Sequence, residues 1–225
     1  MVTAPGQVAH TDDEGMVSLK PPLSHLSVRA AGHRRVEWEN SAKPTVGAVV
    51  RLPALIPKAL YLSFYGVGDR RLRQAALKLL DETELNALVI DVKGDRGRIP
   101  YRSTVALAAK VGAQKVITVR DMPALMASLR AQGIYTVARV VAFKDDPLAR
   151  AHPEWAVRTR GGNLWLDREG LAWSDPFRHE VWDYLIDIAE EAARLGFDEI
   201  QFDYLRFPDE AGLVYSRVST EENRV

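Results

Sequence analysis

Asn86-Ala87-Leu88-Val89-Ile90-Asp91-Val92-Lys93 decides how this chain is to be read. The run is apolar, short and rich in β-branched residues, which suits a strand buried on both faces. Side chains alternate along an extended backbone, so Ala87, Val89, Asp91, Lys93 and Asp95 share one face, and Leu88, Ile90 and Val92 the other. The wholly apolar set must meet a layer of helices, which turns Asp91 and Lys93 to the opposite side.

On either side of this run, strand and helix patterns alternate. Residues 59–65 are a first apolar strand, followed by Leu72, Ala75, Ala76, Leu79 and Leu80 at helical spacing. Downstream, Asp121 is placed as an N-cap for a helix that buries Met122, Leu125, Met126 and Leu129 and ends at Gly133. Residues 135–143 make a third strand. Asp175-Pro176 opens a long helix with the stripe Val181, Leu185, Ile188, Ala192 and Leu195, stopped by Gly196. Residues 199–202 are a fourth strand, with Ile200 and Phe202 expected against helices and Gln201 and Asp203 on the other face. Apolar strands separated by amphipathic helices predict an α/β fold with a parallel sheet.

Two parallel architectures compete. A dinucleotide-binding sheet needs Gly-x-Gly-x-x-Gly after its first strand; Gly66-Val67-Gly68-Asp69-Arg70 lacks the third glycine, and Gly66 and Gly68 read as turn residues. A (β/α)₈ barrel instead gathers charged side chains at the C-terminal ends of several strands. Asp91 and Lys93 on strand two, Arg139 on strand three and Asp203 on strand four fit that description. Buried charges cost several kcal/mol each unless paired, so the plain alternative is a salt-bridge network plugging the barrel. For Asp203, at a strand's C-terminal end, chemistry is the stronger reading.

The stretch 144–174 is too long for an ordinary connection. It carries Trp155, Trp165 and Trp173, three of the five tryptophans. Indoles on the active-site side suit stacking on sugar rings; a loop packed by its own aromatics is the equal alternative.

Composition removes other classes. Thirty basic and thirty acidic residues leave a formal charge of zero, with no overall pull toward nucleic acid. Without cysteine there is no disulfide or thiolate metal site. The five histidines are scattered away from ligand spacing, so no metal and no cofactor is expected. No run reaches the roughly 20 apolar residues of a membrane span. Lacking a basic-then-apolar start, the chain as written is placed in the cytoplasm, or in the cell envelope or outside the cell if a signal precedes Met1.

Residues 1–40 are of another kind: an acidic turn at 11–15, a strand through Met16, Val17 and Leu19 broken by Pro21-Pro22, then paired strands around Leu26, Val28, Val36 and Trp38. This order resembles the last strands of carboxypeptidase-regulatory-like β-sandwich modules, and reads as a β-rich remnant, with residues 41–56 as linker before the barrel segment 57–225.

Four ordered blocks carry a second resemblance: residues 86–93, Ala138-Arg139-Val140-Val141-Ala142-Phe143-Lys144-Asp145, Gly170-Leu171-Ala172-Trp173-Ser174-Asp175-Pro176, and Gly196-Phe197-Asp198-Glu199-Ile200-Gln201-Phe202-Asp203-Tyr204-Leu205-Arg206-Phe207-Pro208. They are similar to successive blocks of a bacterial glycosyl hydrolase domain family related to α-amylase-like and α-galactosidase-like barrels. The resemblance implies a TIM barrel, here about four βα units, with Asp203 in the place of the nucleophile and Tyr204 and Arg206 lining the site. It also implies a carbohydrate substrate bound by Asp91, Lys93, Arg139, Trp165 and Trp173.

Such barrels run to about 250 residues, and the kin draw their second carboxylate from strand five or six. This chain reads as the first half, expected to be inactive alone and to self-associate through open sheet edges. Asp209 and Glu210 read as solvated surface. The competing reading is a non-catalytic glycan-binding or cell-envelope scaffold that keeps the groove without the acid; a truncated gene product without independent activity is a third.

Overall fold

The computed structural model describes residues 1–4, 6–20, 25–39, 47–208, 210–218, 220 and 222. They fall into two units, Met1–Pro57 and Lys58–Val225.

The first unit is an antiparallel sheet of β1 (Val2–Ala4), β2 (Gln7–Ala9), β3 (His25–Val28) and β4 (Val36–Glu39), in the order β2-β1-β3-β4. Val2, Ala4 and Leu26 form its small core, with Leu19, Val28 and Trp38 packed against them. The pairing of β3 with β4 matches the expected strand pair. The strand expected through Met16, Val17 and Leu19 is absent. Met16 N–H donates to Asp12 Oδ1 (2.7 Å), which closes a turn, and the Gln7 side chain grips both Lys20 backbone groups (2.7 and 2.9 Å). Side-chain bonds thus take the place of a ladder. The proposed break at Pro21-Pro22 and the linker residues 40–46 lie outside the described residues. Residues 53–55 of that linker bond back to Gly32 and Arg34.

The second unit contains β5 (Ala59–Leu62), α1 (Phe64–Gly68), α2 (Arg70–Glu82), β6 (Ala87–Lys93), α3 (Ala106–Lys110), α4 (Met122–Ala131), β7 (Tyr135–Val141), α5 (Asp146–Ala151), α6 (His179–Leu195) and β8 (Glu199–Asp203). Its four strands are parallel and lie in sequential order, β5-β6-β7-β8. This is the architecture of half a (β/α)₈ barrel. Leu88, Ile90 and Val92 are fully buried and pack with Met122, Met126 and Leu129 of α4 and Val181, Leu185 and Ile188 of α6. Each such side chain contributes about 1.5–3 kcal/mol by leaving water.

Local chemistry sets the boundaries. Asp121 Oδ1 accepts from Ala124 N–H at 2.9 Å and starts α4; Gly196, at φ +96°, ends α6 in a left-handed conformation that an L side chain rarely adopts. Three expected boundaries move. The first strand stops at Leu62, because Ser63 Oγ caps α1 through Gly66 N–H (3.2 Å). The third strand ends at Val141 rather than 143. The long helix begins at His179 rather than Asp175, whose carboxylate is engaged by Phe177 N–H (3.0 Å) and Ser216 N–H (2.6 Å).

Three apolar positions point the other way from the reading. Leu72 and Leu79 of α2 are exposed, while Ala76 is buried and Leu77 and Leu80 are half-buried. Phe202 is 39% exposed. Phe202 lies on an outer strand, since β8 pairs only with β7 among the described residues. Ile200, one step back, does pack against the core.

Candidate active site

The site is built around Arg139 in the middle of β7. Register places Asp91 of β6 and Gln201 of β8 on either side of it, with Asp203 two residues further toward the strand's C-terminal end. The guanidinium donates four hydrogen bonds, from all three of its nitrogens. Nε donates to Asp203 Oδ2 (2.8 Å), and Nη1 to Asp91 Oδ1 (2.8 Å) and the Tyr61 hydroxyl (3.2 Å). Nη2 donates to Asp95 Oδ1 (2.8 Å) and lies 2.8 Å from Asp203 Oδ2. Burial pushes the Arg139 pKa down, but these carboxylate bonds outweigh it and the net shift is upward.

Asp91 and Asp203 share this cation but not an environment. The Asp91 side chain is 3% exposed and also accepts from the Tyr61 hydroxyl (2.8 Å) and Phe64 N–H (2.9 Å). Burial raises its pKa, and the bonds from Arg139 and Tyr61 only partly offset that. Asp203 is 40% exposed. Its partial burial pushes upward too, but the Arg139 bond, Tyr204 N–H (2.7 Å) and the charges of Arg139 and Arg206 hold its carboxyl below the usual range. Two carboxylates driven apart in this way are the usual footing for distinct acid–base roles. Burial and the Asp91 bond raise the Tyr61 phenol as well, so it stays a neutral donor.

Tyr204 stands at φ +54°, uncommon for a residue with a side chain. That kink folds its N–H back onto the preceding Asp203 carboxylate. Its ring lies 5.7 Å from Trp173, with the Arg206 guanidinium at 5.2 Å and Lys144 Nζ at 5.8 Å.

Lys93 is not part of this cluster. The β6–β7 register shifts between Asp91 and Lys93, so strict alternation fails there and Lys93 leaves the Asp91 face. It is fully buried, 2.8 Å from Asp145 Oδ2, and donates to the carbonyls of Val141 and Ala142. Trp165 and Trp173 are also corrected. Both are buried, 6.1 Å apart edge to face, with their indole N–H groups on Glu210 and Asp167 (3.0 Å each). The long loop is packed by its own aromatics, and neither ring offers an open face. Glu210 is thus a partner of Trp165; Asp209 lies outside the described residues.

Two residues of the site carry no sequence signal for it, Tyr61 inside the first apolar strand and Lys144, which is held by Asp167 and Glu169 (3.2 and 2.5 Å). A cleft of about 170 Å³ opens beside the cluster, bordered by Tyr61, Tyr65, Asp91, Asp95, Arg98 and Glu169. Its aromatic walls are Tyr61 and Tyr65, both exposed. Among the described residues no group of three or more His, Asp or Glu is arranged to hold a metal ion, and no helix is long and apolar enough to cross a membrane.

Residues 59–225 match the model of a family described as “Putative glycosyl hydrolase domain”. A solved hypothetical protein from Ruminiclostridium thermocellum is 36% identical, with a TM-score of 0.66 over 73% of this chain and 86% of that one. An α-L-fucosidase isoenzyme from Paenibacillus thiaminolyticus, 17% identical, superposes with a TM-score of 0.50 over 66% of this chain and 23% of its own. An α-galactosidase from Thermus thermophilus, 21% identical, gives 0.46 over 69% and 32%. The chain therefore spans less than a third of either glycosidase, and the likeness to the fucosidase concerns the fold. No curated protein matches the chain.

Proposed function

The chain belongs to the family described as “Putative glycosyl hydrolase domain”, and from that premise we propose that its barrel hydrolyses O-glycosidic bonds in a polysaccharide or glycan, with Asp203 as the nucleophile. The observation that carries this reading is the state of Asp203. It sits at the C-terminal end of its strand, where barrel chemistry is found. Arg139 and Tyr204 N–H hold it ionised, and it still opens to solvent. A carboxylate that only plugged a barrel would be closed off like Asp91.

In this reading Arg139 orients the attacking carboxylate. Asp91 stays behind it, fixing Arg139 and the Tyr61 hydroxyl, which in turn faces a sugar hydroxyl in the cleft. Tyr65 supplies the stacking surface that the buried tryptophans do not. Arg206 adds positive potential beside Asp203. The exposed apolar residues Leu72, Leu79 and Phe202 favour self-association as a second expectation.

The test is turnover of p-nitrophenyl galactosides, fucosides and glucosides of both anomers. Asp203→Asn should lower kcat/KM at least about a thousandfold with an unchanged melting curve. A non-catalytic glycan-binding scaffold would instead bind such sugars equally well in both forms and turn over none.

A further inference from the structure

A retaining glycosidase needs a second carboxyl group about 5–5.5 Å from the nucleophile, and the resemblance places that group on a later strand. We propose that this chain already contains it: Asp95, on the turn after β6, is the proton donor and acceptor that works opposite Asp203. The inference rests on the hydrolase reading above.

Asp95 Oδ1 and Asp203 Oδ2 each lie 2.8 Å from the same nitrogen, Arg139 Nη2. The two oxygens are therefore no further apart than twice that length, 5.6 Å. Both side chains open to solvent, at 46% and 40%, so both can meet a bound sugar; Asp91, the third carboxylate on Arg139, cannot. Asp95 also borders the cleft.

The turn is made for this placement. Gly94 N–H donates to Arg98 O (3.0 Å) and Gly97 N–H to Gly94 O (2.8 Å). A side chain at Gly94 would come within 3.0 Å of Asp91 Oδ2, and one at Gly97, at φ +69°, within 2.3 Å of Asp145 Oδ1. Gly97 above all lets the loop close down, with Asp95 bonded to Arg139.

A proton on Asp95 would not dislodge it. Oδ1 keeps accepting from Nη2, while Oδ2, which makes no hydrogen bond among the described residues, carries the hydrogen. In the first half-reaction Asp203 attacks the anomeric carbon, the glycosidic C–O bond breaks, and the Asp95 proton passes to the leaving oxygen. In the second, water gives a proton to Asp95, its oxygen attacks the same carbon, and the ester bond to Asp203 breaks.

The experiment compares 2,4-dinitrophenyl glycosides, whose leaving group needs no proton, with the matching methyl glycosides, using full-length wild type, Asp95→Asn, Glu169→Gln and Asp203→Asn. Asp95→Asn should lose about 10²–10⁴-fold on the methyl glycoside but under about tenfold in glycosyl transfer from the activated one. Azide should restore its turnover and appear as glycosyl azide. Asp203→Asn should lose both substrates. Equal losses of Asp95→Asn on the two leaving groups, or the split appearing in Glu169→Gln instead, overturn the Asp95 assignment and leave the hydrolase reading standing. Wild type turning over none of the panel overturns both. A measurement free of turnover is the titration of ¹³C-labelled aspartates: Asp95→Asn should lower the Asp203 pKa further, by removing a neighbouring negative charge. An unmoved Asp203 titration shows the two carboxylates uncoupled and overturns the pairing.

Discussion

Two ion-pair systems lie on neighbouring strands of one sheet, and they differ in being closed or open. Lys93 and Asp145 are both 0% exposed and lie 2.8 Å apart; the ammonium donates to two carbonyls, and Asp145 Oδ1 caps α5 through Leu148 N–H (3.1 Å). Arg139 donates from all three of its nitrogens, but two of its three carboxylates reach solvent. In the first, no atom is open to a substrate. In the second, the cation fixes two carboxylates that stay open to solvent, Asp95 at the border of the cleft and Asp203 at the end of β8. Burial alone does not separate structure from chemistry; the direction of the unfilled valences does.

The largest expected effect breaks the closed pair. Lys93→Met leaves Asp145 ionised in the interior, and removing one partner of a buried pair costs about 3–5 kcal/mol. Urea denaturation should show that loss, and Lys93→Met/Asp145→Asn should recover part of it. A loss below about 1 kcal/mol would mean that water reaches Asp145 and that the two systems are not opposites.

Arg139→Met should cost less, about 1–3 kcal/mol at neutral pH, because Asp91 keeps two other donors and can take up a proton. Its deficit should therefore shrink as pH falls, whereas activity is lost at every pH. Calorimetric scans at two pH values separate these outcomes.

The difference between the two systems was only partly legible in the residues. Alternation along β6, β7 and β8 brought Asp91, Arg139 and Asp203 to one face, and it holds because the register there is unbroken. Lys93 escaped it, since a one-residue shift in pairing exchanges faces and no local residue pattern announces where that shift falls. Asp95 was visible as the next polar residue on that face, but its place over Arg139 depends on how Gly94 and Gly97 close the turn. Trp165 and Trp173 leave stacking and loop packing equally open in the sequence, because loop residues have no periodicity; Asp167 and Glu210, distant or unremarkable in sequence, draw their indoles inward. Leu72, Leu79 and Phe202 carry the right residue type for a core, but exposure is set by neighbours that periodicity does not describe.

A smaller effect contrasts the two carboxylates within the open cluster. Asp203 has a folded pKa below its unfolded value of about 3.9. Its contribution is present above that value and disappears as pH falls through the folded pKa. Asp91 is raised, so it favours the fold below about pH 3.9 and that advantage is lost as pH rises through its folded pKa. Between about pH 3 and 7, the stability gap between wild type and Asp203→Asn should widen in wild type's favour as pH rises. For Asp91→Asn the pH-dependent part should run the other way. Parallel curves would show that one environment governs both carboxylates, against the geometry of their exposure.

The smallest effect supplies the baseline for the comparison. Arg194 and Glu190 pair at 3.2 Å one turn apart on α6, with both side chains more than 60% exposed. Water screens their attraction, and ordering two long side chains opposes it, so Arg194→Ala should change stability by no more than about 0.5 kcal/mol. Raising salt should erase even that, since exposed charges are screened within about 10 Å at 0.1 M. The Lys93→Met deficit should hardly respond to salt, because ions cannot enter where water does not. If both variants respond alike, the Lys93–Asp145 pair is reached by solvent, and the closed system becomes a second open one.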